Sequence, residues 1–85
     1  MIKIVFSEIE SPTTADNAID LGRTSAVRSV NTSKTPVTVN LIDPTSKNIK
    51  SITLSGGESL ILKKTLEERV FCSSKTVRIS GVSIY

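Results

Sequence analysis

The stretch Pro36 to Lys64, PVTVNLIDPTSKNIKSITLSGGESLILKK, sets short β-branched runs between turn residues and shows no helical period. That texture decides the fold class. Val37, Val39 and Leu41 alternate with Thr38 and Asn40, so the first run is a strand with one apolar face. Pro36 stands at its entry, where a missing N–H costs least. Pro44 fixes φ at the second position of a turn, and Asp43 can bond back to the turn backbone. The run with Ile49, Ile52 and Leu54 then returns antiparallel as a hairpin.

The next connection holds Gly56 and Gly57. A phosphate-cradling loop needs a strand, a longer glycine-containing loop and a Lys-Ser/Thr pair opening a helix. Here SGGESLILKK runs into a strand, and the first lysine, Lys63, comes at its far end. The glycines therefore read as a hairpin turn. A two-residue loop pairs Leu54 with Ser59 and Thr53 with Leu60, mixing polar with apolar. A three-residue loop, Ser55-Gly56-Gly57 with one glycine at positive φ, pairs Leu54 with Glu58 and Ile52 with Leu60. The second register is expected, and the consecutive Leu60, Ile61 and Leu62 imply that both faces of this strand are covered.

Working outward, RTSAVRSVNT from Arg23 and TVRISGVSIY at the end have the same texture, so five or six short strands are expected. In the last strand Val82 and Ile84 continue the alternation of Val77 and Ile79 only after a shift of one residue, which places a bulge or bend at Gly81. TLEERVFCSSK, after Lys64, reads as a crossing between sheets. IKIVF at 2–6 is a short strand, and SEIESPTTADNAIDLG after it has no sustained apolar period. The reading is an all-β protein: a small antiparallel β-sandwich, Ig-like or jelly-roll-like, with an extended N-terminal arm and loop over 1–22 and the sandwich domain over 23–85. Its exposed sheet edges need protection, a role that fits Lys63, Lys64, Pro36 and Gly81.

Composition narrows the function classes. At 85 residues with no Trp, one Tyr and two Phe, the core must come from Ile, Val and Leu and is thin. The single Cys72 excludes an intrachain disulfide, and with no His a metal site is set aside. Cys72, beside Phe71, reads as a small buried or half-buried apolar residue. Glu67 and Glu68 are adjacent, so their side chains point apart, and a Ser nucleophile would have no His base. No catalytic residue, cofactor or metal is assigned. The start MIKIVFSEIES lacks the apolar h-region of a signal peptide and is too short to span a bilayer, so the chain is expected in the cytosol or in something assembled there, with no membrane partner.

The net charge of +3 is unevenly placed. Residues 1–33 hold Lys3, Arg23 and Arg28 against Glu8, Glu10, Asp16 and Asp20, and the remainder carries eight bases against four acids. This suits head-to-tail contacts or an acidic partner as well as nucleic acid. A small barrel binding single strands through Arg28, Lys63, Lys64 and Arg78 is disfavoured, because Phe6, Phe71 and Tyr85 are scattered and form no stacking platform.

Three segments carry a resemblance: IDLGRTSAVRSVNTSKTPVTVNLID, SITLSGGESLILKKTLEERVF and the closing VRISGVSIY. Together they resemble the small β-sandwich virion proteins of tailed bacteriophages, especially marine ones. In those proteins a VR-V-N strand, a Gly-Glu turn into a Lys-ended strand and a terminal V-I-GV-Y strand recur. The resemblance implies a non-enzymatic capsid decoration or cement protein that binds the major capsid protein and stabilises the shell on the virion surface. It further implies a homo-oligomer, with trimers common among such proteins. Residues 1–22 would then be an arm that adds a strand to a neighbour, and Ile2, Ile4, Phe6, Lys63 and Lys64 are the interaction candidates. A neck, tail or fibre-attachment subunit has the same sequence texture.

Overall fold

A computed structural model describes residues 2–84; Met1 and Tyr85, the outer limits of the expected arm and domain, lie outside the described residues. Seven strands run in the order β1 (Ile2–Glu10), β2 (Ala26–Asn31), β3 (Val37–Ile42), β4 (Ile49–Leu54), β5 (Ser59–Lys63), β6 (Arg69–Cys72) and β7 (Val77–Ile84). They form a four-stranded sheet in the order β1-β7-β2-β5 and a three-stranded sheet in the order β4-β3-β6, both antiparallel. The two sheets pack as the expected small sandwich. Among the described residues the only helical element is a single 3-10 turn, Ala15–Asn17.

The β3–β4 hairpin forms as the sequence indicates. Asp43 accepts from the Thr45 and Ser46 N–H groups at 2.8 and 3.1 Å, and these bonds hold its carboxyl below the usual carboxylate value. The next connection does not. β4 pairs with β3 and β5 pairs with β2, so Ser55-Gly56-Gly57 carries the chain from one sheet to the other. Ile52 lies opposite Val39 and Leu60 opposite Ser29, not each other. Gly57 has the expected positive φ, 76°, but a glycine turn does not choose which sheet receives the next strand. At the crossover the two sheets are tied together by Asn31.

Asn31 ends β2 and is fully buried. Its Nδ2 donates to the carbonyls of Thr35, Leu54 and Ser55 at 2.7, 3.1 and 3.2 Å, so one of its two hydrogens serves two acceptors. Its Oδ1 accepts from the Ser33 N–H at 3.0 Å. Its backbone N–H and C=O are taken by Glu58 and Gly57. One side chain therefore ties the end of β2 to the entry of β3 and the exit of β4. Gly56 makes this corner possible, since a Cβ there would lie 2.5 Å from the Lys34 carbonyl oxygen.

The expected arm departs further. Residues 2–10 form β1 on the free edge of β7, inside the sandwich domain's own sheet. β1 carries two register irregularities, between Ile4 and Phe6 and between Phe6 and Ile9, whereas β2 and β7 stay in regular register through Gly81. The bulges belong to β1, not to β7. Gly81 is required for close approach: a Cβ would lie 2.8 Å from the Leu21 carbonyl oxygen and 2.9 Å from Phe6 Cβ. The segment expected only to cross between sheets contains β6, whose Val70 and Cys72 are buried on alternate positions. The segment after β1 covers the free edge of β6 through Pro12, which accepts from the Cys72 N–H, and Ile19, which bridges to Val70.

Leu21 in this segment is fully buried although its φ is 57°, at the start of a left-handed turn through Gly22 and Arg23. Asp20 Oδ1 accepts from the N–H groups of Gly22 and Arg23 at 3.0 and 3.3 Å. Burial of a leucine side chain is worth roughly 1.5–3 kcal/mol, which offsets the roughly 1–2 kcal/mol cost of a left-handed leucine.

Replacing Asn31 by Ala removes its three donated hydrogen bonds, the one to Leu54 buried and those to Thr35 and Ser55 part-buried, and the unfolding free energy is expected to fall by about 3 kcal/mol. Asn31→Asp, which sets a carboxylate against the same carbonyls, is expected to be at least as damaging. Urea titration followed by circular dichroism measures both.

Candidate functional site: the open edge of the sandwich

β6 is covered, so the uncovered strands are β4 in one sheet and β5 and β1 in the other. The bonds flanking each ladder fix which backbone groups are free. Asn31 N–H donates to Glu58 and Lys64 N–H to Ser25, so Leu60 and Leu62 bond to β2 while the N–H and C=O groups of Ser59, Ile61 and Lys63 face away from it. Likewise Asp43 N–H donates to Asn48, which leaves the backbone groups of Ile49, Ser51 and Thr53 facing outward from β4. Two unpaired edges thus lie on either side of the glycine crossover.

Between them is a groove of about 260 Å³ lined by Val39, Leu41, Lys50, Ser51, Ile52, Leu62 and Lys63. It is the lateral mouth of the core. Val39 faces Ile52 and Leu41 faces Lys50 across β3 and β4, so Ile52 and Lys50 occupy core-facing positions at the open side of the sandwich. Ile52 is 44% exposed and Ile49 is 51% exposed. Lys50 reaches Glu68 at 3.9 Å, a long contact for an exposed ammonium, and a lysine on an edge strand disfavours pairing with another strand.

The structure separates the interaction candidates. Ile2 and Ile4 are exposed on β1, Ile4 at 73%, at the opposite end of the four-stranded sheet from the exposed Lys63 on β5. Phe6 is half-buried and packs against the protein's own core. Lys64, assigned to edge protection and contact, is only 6% exposed. Its Nζ donates to the carbonyls of Thr65 at 3.0 Å and Glu68 at 2.8 Å. Thr65 and Glu68 also bond reciprocally, each side chain accepting from the other's N–H, so Lys64 anchors a closed turn before β6. Adjacent lysines on a strand take opposite faces, and here only Lys63 meets solvent. Ile49, Ile52, Ile61 and Lys50 were not recognised as surface residues, because their exposure depends on the crossover and not on their own alternation.

The glycine turn holds no free anion cradle. Ser55 N–H donates to Glu58 Oε1, Gly57 N–H to Asn31 and Glu58 N–H to Ser55. Cys72 is buried as expected, and burial pushes its thiol pKa up. No helix among the described residues is long and apolar enough to cross a membrane.

No protein-family model and no curated protein matches the sequence. Among solved structures the chain is similar to the hydroxypropylphosphonic acid epoxidase from S. wedmorenis in complex with fosfomycin, at 11% identity and a TM-score of 0.47. The match covers 87% of this chain and 40% of that one, so the chain spans less than half of the epoxidase's length.

Two measurements check the interior groups. Burial lowers the Lys64 pKa below 10.5, so the folded state holds this proton less tightly than the unfolded chain does. Its contribution to stability therefore rises with pH from the lowered value up to 10.5 and is level above it. Wild type minus Lys64→Met in unfolding free energy should increase across that window. At neutral pH, Cys72 should react with a thiol reagent only on unfolding, giving no native burst.

Proposed function

We propose that this protein is a non-enzymatic structural subunit of a phage particle, a decoration protein that binds the major capsid protein and stabilises the shell. The reading starts from the resemblance of the Ile19–Tyr85 segments to virion sandwich proteins. The observation that carries it on the molecule is β4, a strand exposed at every position from Ile49 to Thr53, with two exposed isoleucines and outward backbone groups at Ile49, Ser51 and Thr53. An edge of this kind recognises an extended segment by strand addition, in which main-chain hydrogen bonds supply affinity and alternate side chains supply specificity. The shell is the partner assigned to it. A domain with so thin a core also gains stability from any partner that binds only its folded form.

Particles purified through a density gradient are expected to carry the protein at a fixed ratio to the major capsid protein. Ile52→Asp should cut that occupancy at least roughly tenfold, measured at a temperature where circular dichroism shows the free variant fully folded. Purified particles without the protein, or full occupancy by Ile52→Asp, would refute the assignment.

A further inference from the structure

We infer that β5 is a self-recognition edge, and that two copies pair antiparallel through it about a two-fold axis centred on Ile61. The contact does not depend on what surface the protein coats. Three features of Glu58–Lys63 support it.

The first is the hydrogen-bonding phase. In an antiparallel ladder, residues that exchange bonds must both present their backbone groups to the shared edge. A two-fold at Ile61 sets Ile61 against itself and Ser59 against Lys63 of the second copy, and these are the residues whose N–H and C=O groups face outward. The second is apolar matching. The same axis sets Leu60 opposite Leu62 of the second copy, both half-buried, and joins the two exposed Ile61 side chains on the other face. The three consecutive apolar residues would then be covered on both faces.

The third is charge. β5 is preceded by Glu58 and ends at Lys63, both exposed. Antiparallel pairing brings the Lys63 end of each copy alongside the Glu58 end of the other, and it opposes no like charges. The β4 edge lacks this complementarity: its charged residue is Lys50, with Lys47 before it and no acid at the far end. Joining at β5 gives an eight-stranded sheet in the order β1-β7-β2-β5-β5-β2-β7-β1. An isologous contact closes on itself, so it yields a dimer and not the trimer that the resemblance implies.

Sedimentation equilibrium of the full chain, from micromolar to about millimolar, tests the pairing. The wild type should show a monomer–dimer equilibrium that Ile61→Lys weakens at least roughly tenfold, with an unchanged melting curve at concentrations where both are monomeric, because it sets two ammonium groups against each other at the axis. Ile61→Cys should cross-link to a covalent dimer under mild oxidation, since directly opposed residues lie within disulfide reach, while Ile52→Cys on β4 should stay monomeric. A wild type that is monomeric throughout, a dimer indifferent to Ile61→Lys, or equal cross-linking at the two positions would overturn the proposal.

Discussion

The structure depends on one buried amide. Asn31 carries donors and an acceptor into a corner where the end of β2, the entry of β3 and the exit of β4 converge, and it answers Thr35, Leu54, Ser55 and Ser33 from a single side chain. A buried carbonyl without a partner costs about 1–3 kcal/mol, so the arrangement that satisfies this corner prevails over competing ones. In the crossover the carbonyls of Leu54 and Ser55 lie beside Asn31. The crossover keeps them together, and it sends β5 to the other sheet. Of the connections after β2, only β3 to β4 joins neighbours in one sheet.

That constraint explains what the sequence revealed and what it hid. The all-β class, the Asp43–Pro44 hairpin, the positive φ of Gly57 and the burial of Cys72 follow from local rules: alternation, turn chemistry and residue size. Strand partners do not. Ile52 and Leu60 match in register as two strands of one sheet would, but the bond from Asn31 to Leu54 joins residues more than twenty positions apart and leaves no local pattern. β6 escaped notice because four residues are too few to show an alternation, and Leu21 because its burial rests on a left-handed turn. The arm was read as separate from the domain since the segment after it is irregular, yet that segment is what covers the edge of β6.

The candidate surface was legible only in part, for the same reason. Ile2, Ile4 and Lys63 are exposed where expected, but Phe6 and Lys64 are directed inward, by the close approach at Gly81 and by the carbonyls of Thr65 and Glu68. The uncovered isoleucines of β4 and β5 arise because the crossover leaves both strands at sheet ends. The same step that satisfies Asn31 therefore creates the edges through which the protein is proposed to assemble. Lys50 on β4 and the bulges of β1 limit indiscriminate pairing, which leaves β5, short and unbulged, as the more receptive edge.

Amide hydrogen exchange along Ser59–Lys63, at a concentration where the protein is monomeric, tests the crossover most directly. If β5 pairs with β2 alone, the amides of Leu60 and Leu62 exchange slowly, while those of Ser59, Ile61 and Lys63 exchange close to the rate of an unstructured chain. Equal protection along the whole strand would mean a second partner within the same molecule, as in a β4–β5 hairpin, and would contradict this account of the fold and of its open edges.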